Sequence, residues 1–295
     1  MSSIERAAHV IKSLKDEEWR TLAGLERAAT GQGTADLGRL SRMSRLPVER
    51  VRFAVGRLQK TGLVARHGAG FALTKEAVEA MALKDYVKKD LIFALGAIIA
   101  KGKESDVYEA VTEEGTPYAL KFYKLGRTSF TKVRKKRFKE ESGMRSWVTA
   151  NYEAANREYN ALRKLEGISP TFPKVISHSR STVLLEELSG VRLSQRPELE
   201  DAGGAERDIL ESMRMAYVEA GLVNGDLSEY NVLTDGRHFW LIDWPQAVGR
   251  AHPNSAELME HDVTAIVRFF TRAYGVGLDR QRALEFAKGE SESLE

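Results

Sequence analysis

Between residues 221 and 243 the chain alternates apolar and polar blocks in an order that few folds accommodate. Leu222-Val223 and Val232-Leu233 bracket the polar run Asn224-Gly225-Asp226-Leu227-Ser228-Glu229-Tyr230-Asn231, and Phe239-Trp240-Leu241-Ile242 then leads into Asp243. Apolar runs this short, bounded by turn residues, read as small buried strands. The polar run is left as a loop between them. Asp226, Asn231 and Asp243 are therefore expected at neighbouring strand ends. Two carboxylates and an amide offer hard oxygens to a cation and a base to a hydroxyl. An Asp and an Asn at this spacing are common by themselves. With strands on both sides and a second Asp closing an apolar run, chance is a poor explanation.

At 295 residues the chain has room for two domains, and 42% hydrophobic residues suffice for ordinary cores. No apolar run approaches the roughly 18 residues a bilayer span needs. The opening MSSIERAAHV lacks the layout of a signal peptide. With no cysteine there is no disulfide partner and no thiolate metal site. The expectation is a cytoplasmic protein with no membrane association. Net charge is +3 overall, yet residues 1–90 carry 17 basic against 11 acidic side chains. That surplus hints at a polyanionic partner.

Residues 1–90 read as a winged-helix domain ending in a linker helix. Glu17 to Ala29 is helical, and Thr34 to Met43 forms a short helix with Leu37 and Leu40 inward. Pro47 to Thr61 follows, with Val48, Val51, Val55 and Leu58 as its apolar stripe. Gly62 suits the cap, and residues 63–73 form a hairpin around His67-Gly68-Ala69-Gly70. Helix, helix, basic helix and wing is the order of helix-turn-helix nucleic-acid binders. Arg50, Arg52 and Arg57 are the expected phosphate contacts, against the plainer alternative of a protein-docking module. Lys75 to Lys89 continues as a helix into the second domain. Within that domain Lys121 to Lys139 holds nine Lys or Arg and no acid, and from Gly126 onward it reads as a mobile basic loop.

Residues 91–295 form the second domain, with a first lobe to about 186 and a second from 187. Ile98 to Ala110 reads strand–turn–strand, and the N–H groups of Gly102, Lys103, Glu104 and Ser105 can face phosphate oxygens. Pro117 to Tyr123 reads as a strand with one lysine, Lys121, as in the V-A-I-K strand of protein kinases. Across Thr149 to Glu166, Glu158 shares a helical stripe with Ala154, Ala161, Leu162 and Leu165. A carboxylate there needs a partner. Lys121 is the expected one, with Glu153 as the second candidate carboxylate. Asp226 and Asn231 are spaced as in the kinase catalytic loop, and Asp243 stands where the kinase metal-binding aspartate belongs. Leu184 to Leu188, including Glu186 and Leu188, is similar to the kinase hinge that meets adenine through its backbone. Asp262 is expected to brace the catalytic loop.

Together these segments resemble the RIO atypical protein kinases, in the branch with an N-terminal winged helix. The resemblance rests on Gly102-Lys103-Glu104-Ser105, Gly126-Arg127-Thr128-Ser129-Phe130, the run Asn224 to Asn231, and Ile242-Asp243-Trp244-Pro245-Gln246. It implies an α+β fold, a winged helix followed by a compact bilobal kinase-like domain. It implies ATP with Mg²⁺, or Mn²⁺ in its place, as cofactors. By the same resemblance Lys121 meets phosphate, Asp226 is catalytic, and Asn231 and Asp243 hold metal. Asp243 is also a phosphate acceptor in an ATPase-like cycle, and Ser129 lies in the autophosphorylation region. The implied role is small ribosomal subunit maturation, with a pre-ribosomal particle or its RNA as partner. The chain departs from the family in placing Asn224 where a histidine is usual and Lys101 where a small polar residue is usual. Only 52 residues follow Asp243, without an A-P-E segment, which argues against a peptide platform. The alternatives are a small-molecule phosphotransferase of the aminoglycoside-kinase kind and a non-enzymatic nucleic-acid-binding regulator.

Overall fold

The computed structural model describes residues 2–30, 33–125 and 147–294. Ser129, the segment 126–130 and most of the basic stretch to Lys139 lie outside the described residues. By packing, the chain divides into two units, 1–155 with 178–183, and 156–177 with 184–295. The division passes through one helix and two strands.

The first unit opens with a helix that the sequence reading did not assign, α1 (Ser3–Ile11). Ser2 and Glu5 cap it reciprocally, and Ile4 and Ala7 are buried. Its side chains reach α5 (Lys75–Lys88), with Ser3 Oγ on Glu79 at 3.2 Å and Arg6 on Glu76 at 2.7 Å. Between them lie α2 (Asp16–Ala29), α3 (Leu37–Ser44), α4 (Val48–Lys60) and the hairpin β1 (Val64–His67) and β2 (Gly70–Leu73). Asp36 caps α3, and Gly62, at φ +77°, ends α4. Leu22, Leu25, Leu40, Val51, Val55 and Leu58 form this core. Val48, expected on the stripe, is instead 37% exposed. It sits in the first turn, right after the Pro47 cap, and Ala54 is buried further along.

A five-stranded sheet runs in the order β3 (Ala94–Lys101), β4 (Ser105–Val111), β5 (Pro117–Tyr123), β7 (Thr182–Glu186), β6 (Val175–Ser179). Residues 178–183 of the last two strands belong to the first unit. There Tyr123 N–H donates to Ser181 O at 2.8 Å, and the Tyr86 hydroxyl lies 2.9 Å from that of Thr182. Helix α6 (Trp147–Leu165) starts in the first unit and ends in the second.

The second unit contains a three-stranded sheet, β11 (Phe239–Leu241), β10 (Val232–Thr234) and β8 (Val191–Arg192), and a two-stranded pairing of β12 (Val248–Gly249) with β9 (Leu222–Val223). Helices α7 (Ala202–Val218), α8 (Ser255–Tyr274) and α9 (Arg280–Ala287) complete it. Its core joins Ile209, Leu210, Leu227, Val232, Leu241, Val263, Ile266 and Phe270. Among the described residues no helix is long and apolar enough to cross a membrane.

Candidate active site

In the second unit the polar run 224–231 hangs between β9 and β10, as its flanking apolar pairs dictate. Leu227 is fully buried and pins the middle of the loop, while Asp226 beside it is exposed. Gly225 has φ +79°, and a Cβ there would stand 3.3 Å from Gln246 O, so only glycine fits without strain. Asp262, on α8 and 1% exposed, accepts from Gly225 N–H at 2.7 Å and Leu227 N–H at 3.1 Å. The expected brace is thus a pair of backbone hydrogen bonds on either side of Asp226. Burial pushes the Asp262 carboxyl up, against the opposing pull of His261 and these two N–H groups.

Asn231 and Asp243 are tied to the same loop. The Asn231 side-chain amide donates to Asp226 O at 2.9 Å, and Ile242 N–H donates to Asn231 O at 2.9 Å. Asn224 bridges both ends, its amide donating to Asp243 O at 3.2 Å and its oxygen accepting from Asp226 N–H at 3.2 Å. Asn224 therefore supplies packing and two hydrogen bonds at the position where the sequence departs from the family it resembles. Asp243 itself is half-buried at φ +67°, a left-handed conformation that costs a non-glycine residue energy.

The next residues hold Asp243 in that conformation. Trp244 is 1% exposed, stacks edge-on against Phe172 at 5.6 Å, and donates its indole N–H to Leu241 O at 2.8 Å. Its backbone N–H donates to Glu158 Oε1 at 3.2 Å, and Arg157 Nε donates to Pro245 O at 2.9 Å. Glu158, 1% exposed on the expected stripe of α6, thus has a partner within its own unit that the sequence did not disclose. Spacing reveals a buried carboxylate; it says nothing of a backbone N–H far away in sequence.

Glu186 and Leu188 also lie in the second unit. Glu186 closes β7 and pairs with Lys174, accepting its N–H at 2.7 Å through the carboxylate and donating its own N–H to Lys174 O at 3.0 Å. Residues 186–189, with Phe172, Lys174 and Trp240, line a cavity of about 740 Å³.

The remaining expected residues belong to the first unit. Gly102 to Glu104 form the β3–β4 turn, closed by Gly102 N–H on Ser105 O at 2.8 Å. A Cβ on Gly102 would stand 3.0 Å from that same oxygen, which accounts for the glycine. Lys121 sits mid-strand on β5 opposite Val107, 6% exposed, with Nζ 5.1 Å from the Tyr123 ring centre. Nearby, Lys124 donates to Asp106 at 2.7 Å, a pair the sequence reading passed over.

On α4 the three arginines expected to touch phosphate each meet a carboxylate. Arg50 meets Glu17 at 3.0 Å, Arg52 meets Glu49 at 3.4 Å, and Arg57 meets Glu18 at 2.6 Å. The first two pairs are exposed. Glu18 is buried and Arg57 half-exposed, so Arg57 spends its charge on a carboxylate of its own unit. Arg42, Arg45 and Arg66 are exposed and make no ion pair among the described residues.

Comparison with known proteins places this geometry in context. The RIO domain family matches residues 106–283. The RIO-type serine/threonine-protein kinase Rio2 of Methanocaldococcus jannaschii is 33% identical over 243 residues, covering 80% of this chain and 89% of that one. The serine/threonine-protein kinase rio2 of Schizosaccharomyces pombe is 26% identical over 290 residues, covering 96% and 84%. The Caenorhabditis elegans RIO2 kinase is 29% identical over 271 residues, and there the match spans 51% of the relative's length. A crystal structure of the Rio2 kinase–ADP/Mg²⁺–phosphoaspartate complex from Chaetomium thermophilum matches with a TM-score of 0.78 at 25% identity, covering 95% of this chain and 88% of that one.

Proposed function

The chain belongs to the RIO family, in the branch with an N-terminal winged helix, and on that footing we propose that it is an ATP- and magnesium-dependent serine/threonine kinase and ATPase that autophosphorylates and serves small ribosomal subunit maturation. The observation that carries the assignment is the hydrogen-bonded frame that gathers Asp226, Asn231 and Asp243 around one loop.

The donor set fits magnesium. Asn231 spends its amide nitrogen on Asp226 O, which leaves Oδ1 as its ligand atom, and Asp243 adds a carboxylate. Mg²⁺ takes one or two such protein oxygens and completes its shell with phosphates and water. Held by Asn231 and Asp243, the ion would supply neutralisation of charge on the transferring phosphoryl group.

In this reading the Gly102–Ser105 turn and Lys121 receive the phosphates, and the backbone of Glu186 to Leu188 receives adenine. Asp226 takes the proton of a serine or threonine hydroxyl as that oxygen bonds to the γ-phosphorus and the bond to ADP breaks. In the ATPase branch an Asp243 carboxylate oxygen attacks instead, releasing ADP. Water, oriented by Asp226, then cleaves the acyl phosphate to inorganic phosphate. The phosphoaspartate in the Chaetomium relative supports this branch.

The winged helix is the proposed contact to ribosomal RNA. Arg50 and Arg52 can exchange weak exposed ion pairs for phosphate, and Arg42, Arg45 and Arg66 are exposed on the same domain. Helix α4 also leaves Phe53 65% exposed, and a Cβ on Gly56 would meet nothing within 4 Å, so internal packing explains neither residue.

The test is turnover of ATP with Mg²⁺ by the purified chain. Asp226→Ala and Lys121→Ala are each expected to abolish it. Unchanged turnover in both overturns the site assignment. Co-purification with small-subunit particles tests the partner.

A further inference from the structure

The first unit holds a cavity of about 840 Å³ that is lined by none of the expected site residues. Helix α1 supplies part of the lining, with Ile4, Ala8 and Ile11 at spacings of 4 and 3 on one apolar face. Leu83 and Val87 come from α5, and Ile92, Phe93 and Tyr108 from the chain entering β3 and from β4. Ile4, Leu83, Ile92 and Tyr108 are buried, whereas Phe93 is 70% exposed and Val87 48%. A single exposed apolar side chain is ordinary on a protein surface. Two of them along one apolar cavity mark a place where something docks.

The charged residues of the lining lean to one sign. Glu5, Asp90, Glu113 and Glu114 contribute carboxylates, against Lys12 and His9. Asp90 follows the end of α5 at φ +55°, where its N–H donates to Val87 O at 3.1 Å and Leu91 N–H to Tyr86 O at 3.0 Å. A left-handed position after a helix ordinarily goes to glycine, so the turn by itself does not explain a carboxylate there. Glu113 and Glu114 stand in the β4–β5 turn. All three are exposed and form no ion pair among the described residues. The chain as a whole carries net charge +3, so this cavity runs against the overall sign. Its carboxylates repel the phosphates of nucleic acid or anionic lipid and attract a cation with an apolar body.

We propose that this cavity is a docking groove for an amphipathic helix of a partner protein, apolar along one stripe and carrying Lys or Arg on its flanks. The size agrees with that occupant. Ile4 to Ile11 spans about 10 Å along α1, and a helix with its side chains is about 10 Å across. Two turns of such a helix occupy about 800 Å³, on the order of the cavity itself. They present apolar side chains at i, i+3, i+4 and i+7 to Ile4, Ala8, Ile11 and Val87. A small cation held inside the cavity leaves Phe93 and Val87 in water, whereas a helix lying along α1 is wide enough to cover them. Every lining residue belongs to the first unit, so the groove is independent of the transfer-site reading.

The experiment titrates the full chain into a fluorescent helical peptide and follows its anisotropy. The peptide carries Leu at i, i+3, i+4 and i+7 with Lys on both flanks, and a twin carries Glu in place of every Lys. The Lys peptide is expected to bind in the micromolar range, at least about tenfold tighter than its twin, and more weakly as salt rises. Phe93→Ser with Val87→Ser should weaken it about tenfold by removing the exposed anchors. Glu113→Lys with Glu114→Lys should narrow or invert the preference between the two peptides. These four side chains are exposed, so each variant should unfold near the wild-type temperature. Equal affinity for both peptides overturns the proposal, as does no binding up to about 1 mM, the weak end of measurable affinity. So does Lys-peptide binding that both pairs of substitutions leave unchanged, because the peptide then sits elsewhere. Self-association of the free chain that Phe93→Ser abolishes also overturns it, by making a second copy the occupant.

Discussion

The loop from Asn224 to Asn231 and the basic helix α4 are both rich in polar side chains, and they use them in opposite ways. In the loop, backbone and side-chain polar groups are satisfied by partners that hold Asp226 at the surface, including Asp262 beneath and Asn224 and Asn231 alongside. On α4 the charge faces outward in sequence, but Arg50, Arg52 and Arg57 each meet a carboxylate. The loop spends hydrogen bonds to present one carboxylate. The helix spends part of its charge on its own fold. A short motif whose geometry is fixed locally therefore discloses function well. A surplus of positive charge discloses a tendency without naming the side chains that are available.

The largest expected effect breaks the loop side of this contrast. Asp262→Ala leaves the Gly225 and Leu227 N–H groups without their acceptor in a buried site, at a cost of about 1–3 kcal/mol each. The loop should lose its register, and ATP turnover should fall at least about 100-fold, since misplacing a reacting group by about 1 Å has that effect. Turnover near wild type would show that Asp226 is positioned by something else.

Next in size is Arg57→Ala. It leaves the buried Glu18 carboxylate without the cation that it meets at 2.6 Å. Because Arg57 itself is half-exposed, the cost should fall short of the roughly 3–5 kcal/mol of a fully buried pair while exceeding the roughly 1 kcal/mol of a surface pair. Thermal unfolding should show a clear loss of stability. A loss no larger than that of an exposed arginine would return Arg57 to the set of free phosphate contacts.

What the sequence made legible follows the same division. The strands on either side of Asp226, the lysine strand β5 and the carboxylate face of α6 were readable because apolar spacing specifies them locally. Helix α4 was readable too, except at Val48, where helical periodicity extends the stripe one turn further than packing does. Other features are set by contacts distant in sequence, and spacing carries no trace of them. Glu158 meets Trp244 N–H across 86 positions, and Arg180 meets Glu26 across 154. Helix α1 carries two local signals, the Ser2–Glu5 capping box and the buried pair Ile4 and Ala7, but its packing partner α5 lies some 70 positions further along the chain. Asn224 read as a departure from a pattern, whereas its amide makes it a two-ended tie between Asp226 and Asp243.

The smallest expected effect on the fold sharpens the helix side. Changing Arg42, Arg45 and Arg66 together to Ala removes three exposed cations that have no carboxylate to release, so stability should stay within about 0.5 kcal/mol of wild type. RNA affinity is a different matter. Each lost phosphate contact lowers the steepness of the salt dependence by about 0.7–0.9 in the log–log slope, so the triple variant should bind more weakly and less salt-sensitively. The same measurement on Arg50→Ala with Arg52→Ala asks whether exposed pairs yield to phosphate. A shallower slope there means that Glu17 and Glu49 hold those arginines only until a polyanion arrives. If both variants keep the full slope, the outward face of this domain meets a protein, and the positive surplus of residues 1–90 serves solubility instead.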